Sequence, residues 1–201
     1  MIMSMPKFFI KTTGWNNSCI YVPNGSSGSQ SFVFNQRFAS IRNVNILPCG
    51  TNTTNFNFDF IDITNGGTYQ ISVGGHIFPQ IALNATNNKA AIMQELRKCQ
   101  GQLYDETNAM SINTVEFSYT AAACNTTINQ PAKFIVGIDT CKLGSGYSNN
   151  LLNGTSSQNS PINVLLNLTQ ATAAVRNLNL VIRYDALLEI DAEIRMLSAK
   201  I

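Results

Sequence analysis

Leu178-Asn-Leu-Val-Ile-Arg-Tyr-Asp-Ala-Leu-Leu-Glu-Ile-Asp-Ala-Glu-Ile-Arg-Met196 places an apolar residue at every even position from 178 to 196. Most odd positions between them are polar: Asn179, Arg183, Asp185, Glu189, Asp191, Glu193 and Arg195. Side chains on an extended strand alternate faces, so the stretch reads as one long half-buried strand, or two strands joined at a bend. A helix over residues 186 to 200 competes with this reading. Leu187, Ile190, Ile194 and Leu197 share a helical face there, and the Ala, Leu and Glu content suits one. The alternation continues unbroken from residues that are plainly strand-like, which favours strand throughout. Such a chain end is built by sheet assembly.

Upstream, Ile162, Val164, Leu166 and Leu168 alternate with Asn163, Asn167 and Thr169, a second half-buried strand. Further strands are expected over residues 112–119 and 133–138, and residues 144–159 read as a long polar loop. One helix stands out after Thr86, Asn87 or Asn88, any of which can cap it. Ile92, Leu96 and Cys99 line one face, Arg97 and Lys98 sit in the last turn, and Gly101 ends it. Phe56, Phe58 and Phe60 alternate with Asn57 and Asp59 and lead to Asn65-Gly66-Gly67, with Tyr69–Val73 as the return strand. Asn-Gly between apolar strands is a strong hairpin signal, because both turn residues need positive φ. Gly74-Gly75 then breaks the strand, and Pro79 keeps the next segment at an edge or in a loop.

Residues 1–30 read as a flexible N-terminal arm, since Asn24-Gly-Ser-Ser-Gly-Ser29 has the composition of a link. The ordered body is expected over residues 31–201. There Phe32, Phe34, Phe38, Ile41, Val44 and Ile46 form strand-like runs that end at Pro48 and Gly50. The sum is an all-β chain of about eight strands with one short helix in a crossing loop. It reads as a two-sheet sandwich, a jelly roll.

The 201 residues carry 12% charged residues, about half the usual share of roughly 25%. The polar surface is instead rich in amides and hydroxyls, with 25 Asn. Interface cores are depleted in charge, so much of this surface is expected to face other protein. A genome rich in A and T inflates Asn without structural reason and stands beside that explanation. Net charge is +2 with no basic cluster, so the footprint for specific nucleic-acid binding is absent. No apolar run reaches membrane-spanning length, and no membrane insertion is expected. Residues 1–11 lack the apolar core and small-residue cleavage site of a secretory signal. Cys19, Cys49, Cys99, Cys124 and Cys141 are spread out and odd in number, which argues against a disulfide framework and a zinc site. Reduced, mostly packed thiols are expected.

A search for chemistry finds no catalytic, cofactor-binding or metal-binding residues. His76 is the single histidine, and Gly-Gly-His-Ile-Phe-Pro reads as a loop position bonded to backbone. Asp59 with Asp62, and Asp185 with Glu189, have a spacing that evokes glycosidase carboxylates. On strands Asp59 and Asp62 face opposite sides, and Asp185 and Glu189 read as part of a solvated or interface face. Glu189, Asp191 and Glu193 lack the oxygen-rich turn of a calcium site. Gly144-Ser-Gly-Tyr-Ser148 has neither the strand–elbow–helix setting of a serine hydrolase nor the ending of a phosphate loop.

Several ordered blocks carry a resemblance. They are Tyr69-Gln-Ile-Ser-Val-Gly-Gly-His-Ile-Phe-Pro79, the helix Ala90-Ala-Ile-Met-Gln-Glu-Leu-Arg-Lys-Cys-Gln-Gly-Gln-Leu-Tyr-Asp105, Phe134-Ile-Val-Gly-Ile-Asp139, the Gly/Ser/Asn loop, Pro161–Leu168 and Asn179-Leu-Val-Ile-Arg-Tyr-Asp-Ala-Leu-Leu-Glu-Ile190. In this order they resemble the C-terminal jelly roll of the double jelly-roll major capsid proteins of virophages, polinton-like viruses and large nucleocytoplasmic DNA viruses. The resemblance covers residues 31 to 196. It implies a structural role in the virion, without enzymatic activity or cofactor: two jelly rolls per chain trimerise into a pseudo-hexameric capsomer of an icosahedral shell assembled in the host cytoplasm. Implied partners are other capsid subunits and minor capsid or penton proteins. The chain departs from that pattern in length, since 201 residues hold one jelly roll. Either a second jelly-roll polypeptide completes it, or it is a single jelly-roll relative. A penton-type capsid protein and a carbohydrate-binding β-sandwich are the alternatives.

Overall fold

The computed structural model describes residues 7–50, 60–101, 112, 117, 133–141, 152–172, 175–191 and 196–200. In chain order the elements are β1 (Lys7–Val22), β2 (Gly28–Phe34), β3 (Ile41–Gly50), β4 (Thr68–Val73), β5 (His76–Asn84), α1 (Lys89–Cys99), β6 (Val136–Asp139), β7 (Ile162–Leu168), β8 (Arg176–Asp191) and β9 (Met196–Lys200). One sheet has the order β1-β8-β3-β6, with β9 added along β8; the other has the order β2-β7-β4-β5. Every pairing between these strands is antiparallel. Successive strands cross from one sheet to the other except at β4–β5 and β8–β9. That is the winding of a jelly roll, as the sequence led us to expect.

The alternation read from sequence positions the core. On β7, Ile162, Val164, Leu166 and Leu168 are buried while Asn163 and Asn167 point away; on β8, Leu178, Leu180 and Ile182 are fully buried. They meet Val44 and Ile46 of β3 and Tyr69, Ile71 and Val73 of β4 between the sheets. The competing helix over residues 186–200 is excluded. Residues 187–191 pair with β1 and also with β9, so both described parts of this stretch are strand; residues 192–195 lie outside the described residues.

The helix forms where its signals lie. Asn88 caps it, its side-chain oxygen accepting from the Ala91 amide at 3.2 Å, and Gly101 follows its end at φ +74°. Leu96 and Cys99 pack over Gly137 of β6, where an added Cβ would lie 2.7 Å from Leu96 Cδ1. Asn43 donates to the Cys99 carbonyl at 2.8 Å and Gln100 donates to Asn45 Oδ1 at 3.1 Å, which ties the helix end to β3.

Three expectations are corrected. Residues 7–22 of the expected arm, residues 1–30, form β1, which pairs residue for residue with β8 from Lys7↔Asp191 to Val22↔Arg176, and the boundary at residue 31 falls inside β2; residues 1–6 lie outside the described residues. The expected hairpin about Asn65-Gly66 does not form, since β4 pairs with β5 and β7. Asn65 and Gly66 do take positive φ (54° and 85°), but within a loop that Asp62 organises. The hairpin turn is Gly74-Gly75, which joins Val73 to His76. The expected strand over residues 133–138 is Val136–Asp139. The expected polar loop is described from residue 152. Asn153, Thr155 and Ser157 are buried, and Thr155 exchanges two backbone hydrogen bonds with Ile41 (2.8 and 2.9 Å). Phe56, Phe58, Asp59, Cys124 and most of residues 112–119 and 144–151 lie outside the described residues.

Candidate assembly interface

Asp62, one of the carboxylates that suggested chemistry, organises a loop. Asp62 Oδ1 accepts from the Thr64 amide (2.9 Å), the Thr64 hydroxyl (2.6 Å) and the buried Tyr69 hydroxyl (2.8 Å), and Oδ2 accepts from the Gly66 amide (2.8 Å). Burial, with the Asp62 charge beside it, holds the Tyr69 phenol well above its usual pKa. His76 lies at the exposed start of β5 with its ring tilted against Phe78, 6.4 Å between centroids. Among the described residues no three His, Cys, Asp or Glu side chains gather as a metal site.

Asp185 departs from its expected place. Asp185 and Glu189 are buried, 1% and 7% exposed, not part of a solvated face. Asp185 Oδ2 accepts from the Ser40 hydroxyl (2.8 Å) and the Asn153 amide (3.2 Å), while Oδ1 lies 3.8 Å from Lys11 Nζ and from Arg42 Nε. Ser40 also accepts from the Gly154 amide at 2.8 Å. This knot ties β1, β3, β8 and the 153–155 loop together at one end of the sandwich. A buried carboxylate persists when cations and donors replace its water; here two donors satisfy Oδ2, and two cations stand 3.8 Å from Oδ1, which accepts no hydrogen bond.

The thiols are held in their protonated form. Burial, then the Asp139 charge, pushes Cys99 far up and Cys141 up to about 11; burial also raises Cys49 and Cys19. Thiols of this kind are poor nucleophiles.

The exposed apolar surface is concentrated at sheet edges. Phe9, Ile10, Trp15 and Tyr21 of β1 are 49–67% exposed, and Ile77 and Ile81 of β5 are 49% and 85% exposed. Trp15 lies on an outer sheet face under Arg183, whose guanidinium is 5.6 Å from the ring centroid. Between β5 and α1 runs a groove of about 990 Å³, with Ile77, Pro79 and Ile81 on the strand side and Gln94, Glu95 and Lys98 on the helix side. Nothing in the sequence pattern marked this groove, because strand and helix each looked complete alone.

No protein-family model and no curated protein matches the sequence. Solved structures do match in fold. A chain of the Sputnik virophage particle solved by cryo-EM superposes on 98% of this chain with a TM-score of 0.50 and 15% identity. A chain of the PBCV-1 virus capsid matches 97% of it (TM-score 0.47, 11% identity), and the mavirus major capsid protein matches 100% (TM-score 0.43, 10% identity). This chain spans 39%, 51% and 42% of those chains respectively. At such identity the likeness is one of architecture: the chain is a single jelly roll of the kind wound into part of the Sputnik chain.

Proposed function

We propose that this chain is a structural protein of a viral capsid, a jelly-roll subunit or part of a major capsid protein that assembles into pseudo-hexameric capsomers of an icosahedral shell. The observation that carries the reading is the strand order β1-β8-β3-β6 against β2-β7-β4-β5, shared in fold with the Sputnik chain over nearly the whole length. Two further features support it. Charged residues make up 12% of the chain, and a capsomer surface buried on neighbours tolerates little unpaired charge. Exposed apolar side chains sit on sheet edges, where a neighbouring subunit covers them. The role is structural rather than enzymatic and belongs to the virion, with other capsid subunits and minor capsid or penton proteins as partners.

Imaging tests the reading. Negative-stain images of purified full chain should show trimers with pseudo-hexagonal outlines, alone or only with a second jelly-roll polypeptide. Rings of five would move the assignment to a penton. Trp15 and Tyr21, exposed on one face of β1, favour a second reading, a sugar-stacking β-sandwich. Particles that stay single and bind an immobilised glycan through Trp15 would establish that one instead.

A further inference from the structure

The two long edge strands, β5 and β1, differ, while the shorter β2 and β6 form the remaining edges. β5, an edge of one sheet, is blunted: Pro79 removes a donor, the register slips between Tyr69 and Ile71, and Gln70 Nε2 caps the Pro79 carbonyl at 3.0 Å. β1, an edge of the other, has no such device. Its 16 residues contain no proline and pair with β8 in unbroken register, and among the described residues only β8 pairs with it. Residues 9, 10, 12, 15, 17, 19 and 21 are exposed along it. A long, flat, regular edge is a template for another strand.

The sequence of β1 names that strand, because it is self-complementary about Trp15. Laid antiparallel on a second copy with Trp15 opposite Trp15, Ile10 meets Ile20 and Phe9 meets Tyr21, each pair on one face. Lys11 meets Cys19, and no lysine of β1 faces another. Same-face aromatic and aliphatic pairs stabilise such ladders, and like charges opposite each other destabilise them. An edge about 54 Å long and one sheet layer (~10 Å) thick covers on the order of 500 Å² per partner, about 1,000 Å² in all, which reaches the threshold for a specific interface.

We propose that two copies of the chain join through β1, antiparallel and centred on Trp15, into one continuous sheet. The contact has two-fold symmetry, and its register can be read by a disulfide that three-fold assembly of the proposed capsomer would not produce. The test pairs two measurements on the full chain. In sedimentation, wild type should form a species at least twice the mass of the Trp15→Lys variant, whose paired lysines on the axis weaken the contact about tenfold or more. In a Cys19→Ser background, Thr13→Cys and Asn17→Cys proteins should form a disulfide-linked dimer when mixed and oxidised, and neither should do so alone, because residues 13 and 17 face each other only in this register. Equal masses for wild type and Trp15→Lys would overturn the proposal. So would the absence of a disulfide specific to the mixture, even if the masses differ.

Discussion

Asp185 is the residue on which most separate parts of the sandwich depend. Replacing it with alanine strands two cations and removes the acceptor for the Ser40 hydroxyl and the Asn153 amide. Breaking a buried ion pair from one side costs about 3–5 kcal/mol, and partial exposure of Lys11 and Arg42 places this case near about 3 kcal/mol. We expect the urea midpoint of Asp185→Ala to fall with unchanged slope, and Asp185→Asn to lose about half as much. Tyr69 predicts a pH effect. Its folded pKa is raised, as are those of Cys99 and Cys141, while unfolded thiols and phenols ionise near 9.0 and 10.0. Above about pH 9 the unfolded chain therefore binds fewer protons than the folded one. The stability from these groups is full below that pH and declines as pH rises. Urea midpoints between about pH 7 and 10.5 should show this decline. Tyr69→Phe should lose the part that begins near pH 10 and cost about 1–3 kcal/mol at pH 7, because the Ile63 amide and Asp62 lose a partner.

Among the elements, α1 and β6 depend on one small residue. A β-branched side chain at Gly137 would meet Leu96 and Cys99, so Gly137→Val should lift the helix off its strand, at a cost of about 1–3 kcal/mol. Amide exchange in α1 should accelerate before that in β7 or β8. Asn88→Ala should cost about 1 kcal/mol through the lost cap alone. Legibility differed among elements for physical reasons. α1 could be read because cap, apolar face and stop lie within one contiguous stretch; β7 and β8 could be read because each buries one face. β1 could not, because among its described side chains only Val22 is fully buried, so its sequence carries no apolar alternation. Asn65-Gly66 has the backbone of a hairpin turn, but Asp62 uses it to close a loop, and β4 pairs instead across Gly74-Gly75. The Asp185 knot was hidden because its partners come from positions 11, 40, 42 and 153, which no local pattern connects.

For the whole molecule, sparse charge, exposed edges and jelly-roll winding are the features on which the proposed assembly role rests. The jelly-roll class was legible in the sequence because it needs only the count and order of strands. The pairing of β1 with β8, across nearly the full chain, was not. The central claim is that this chain is an assembly subunit, and light scattering of the purified full chain over a range of concentrations tests it most directly. We expect a mass of two or more 22.0 kDa chains, rising with concentration. A mass of one chain at every concentration would contradict it.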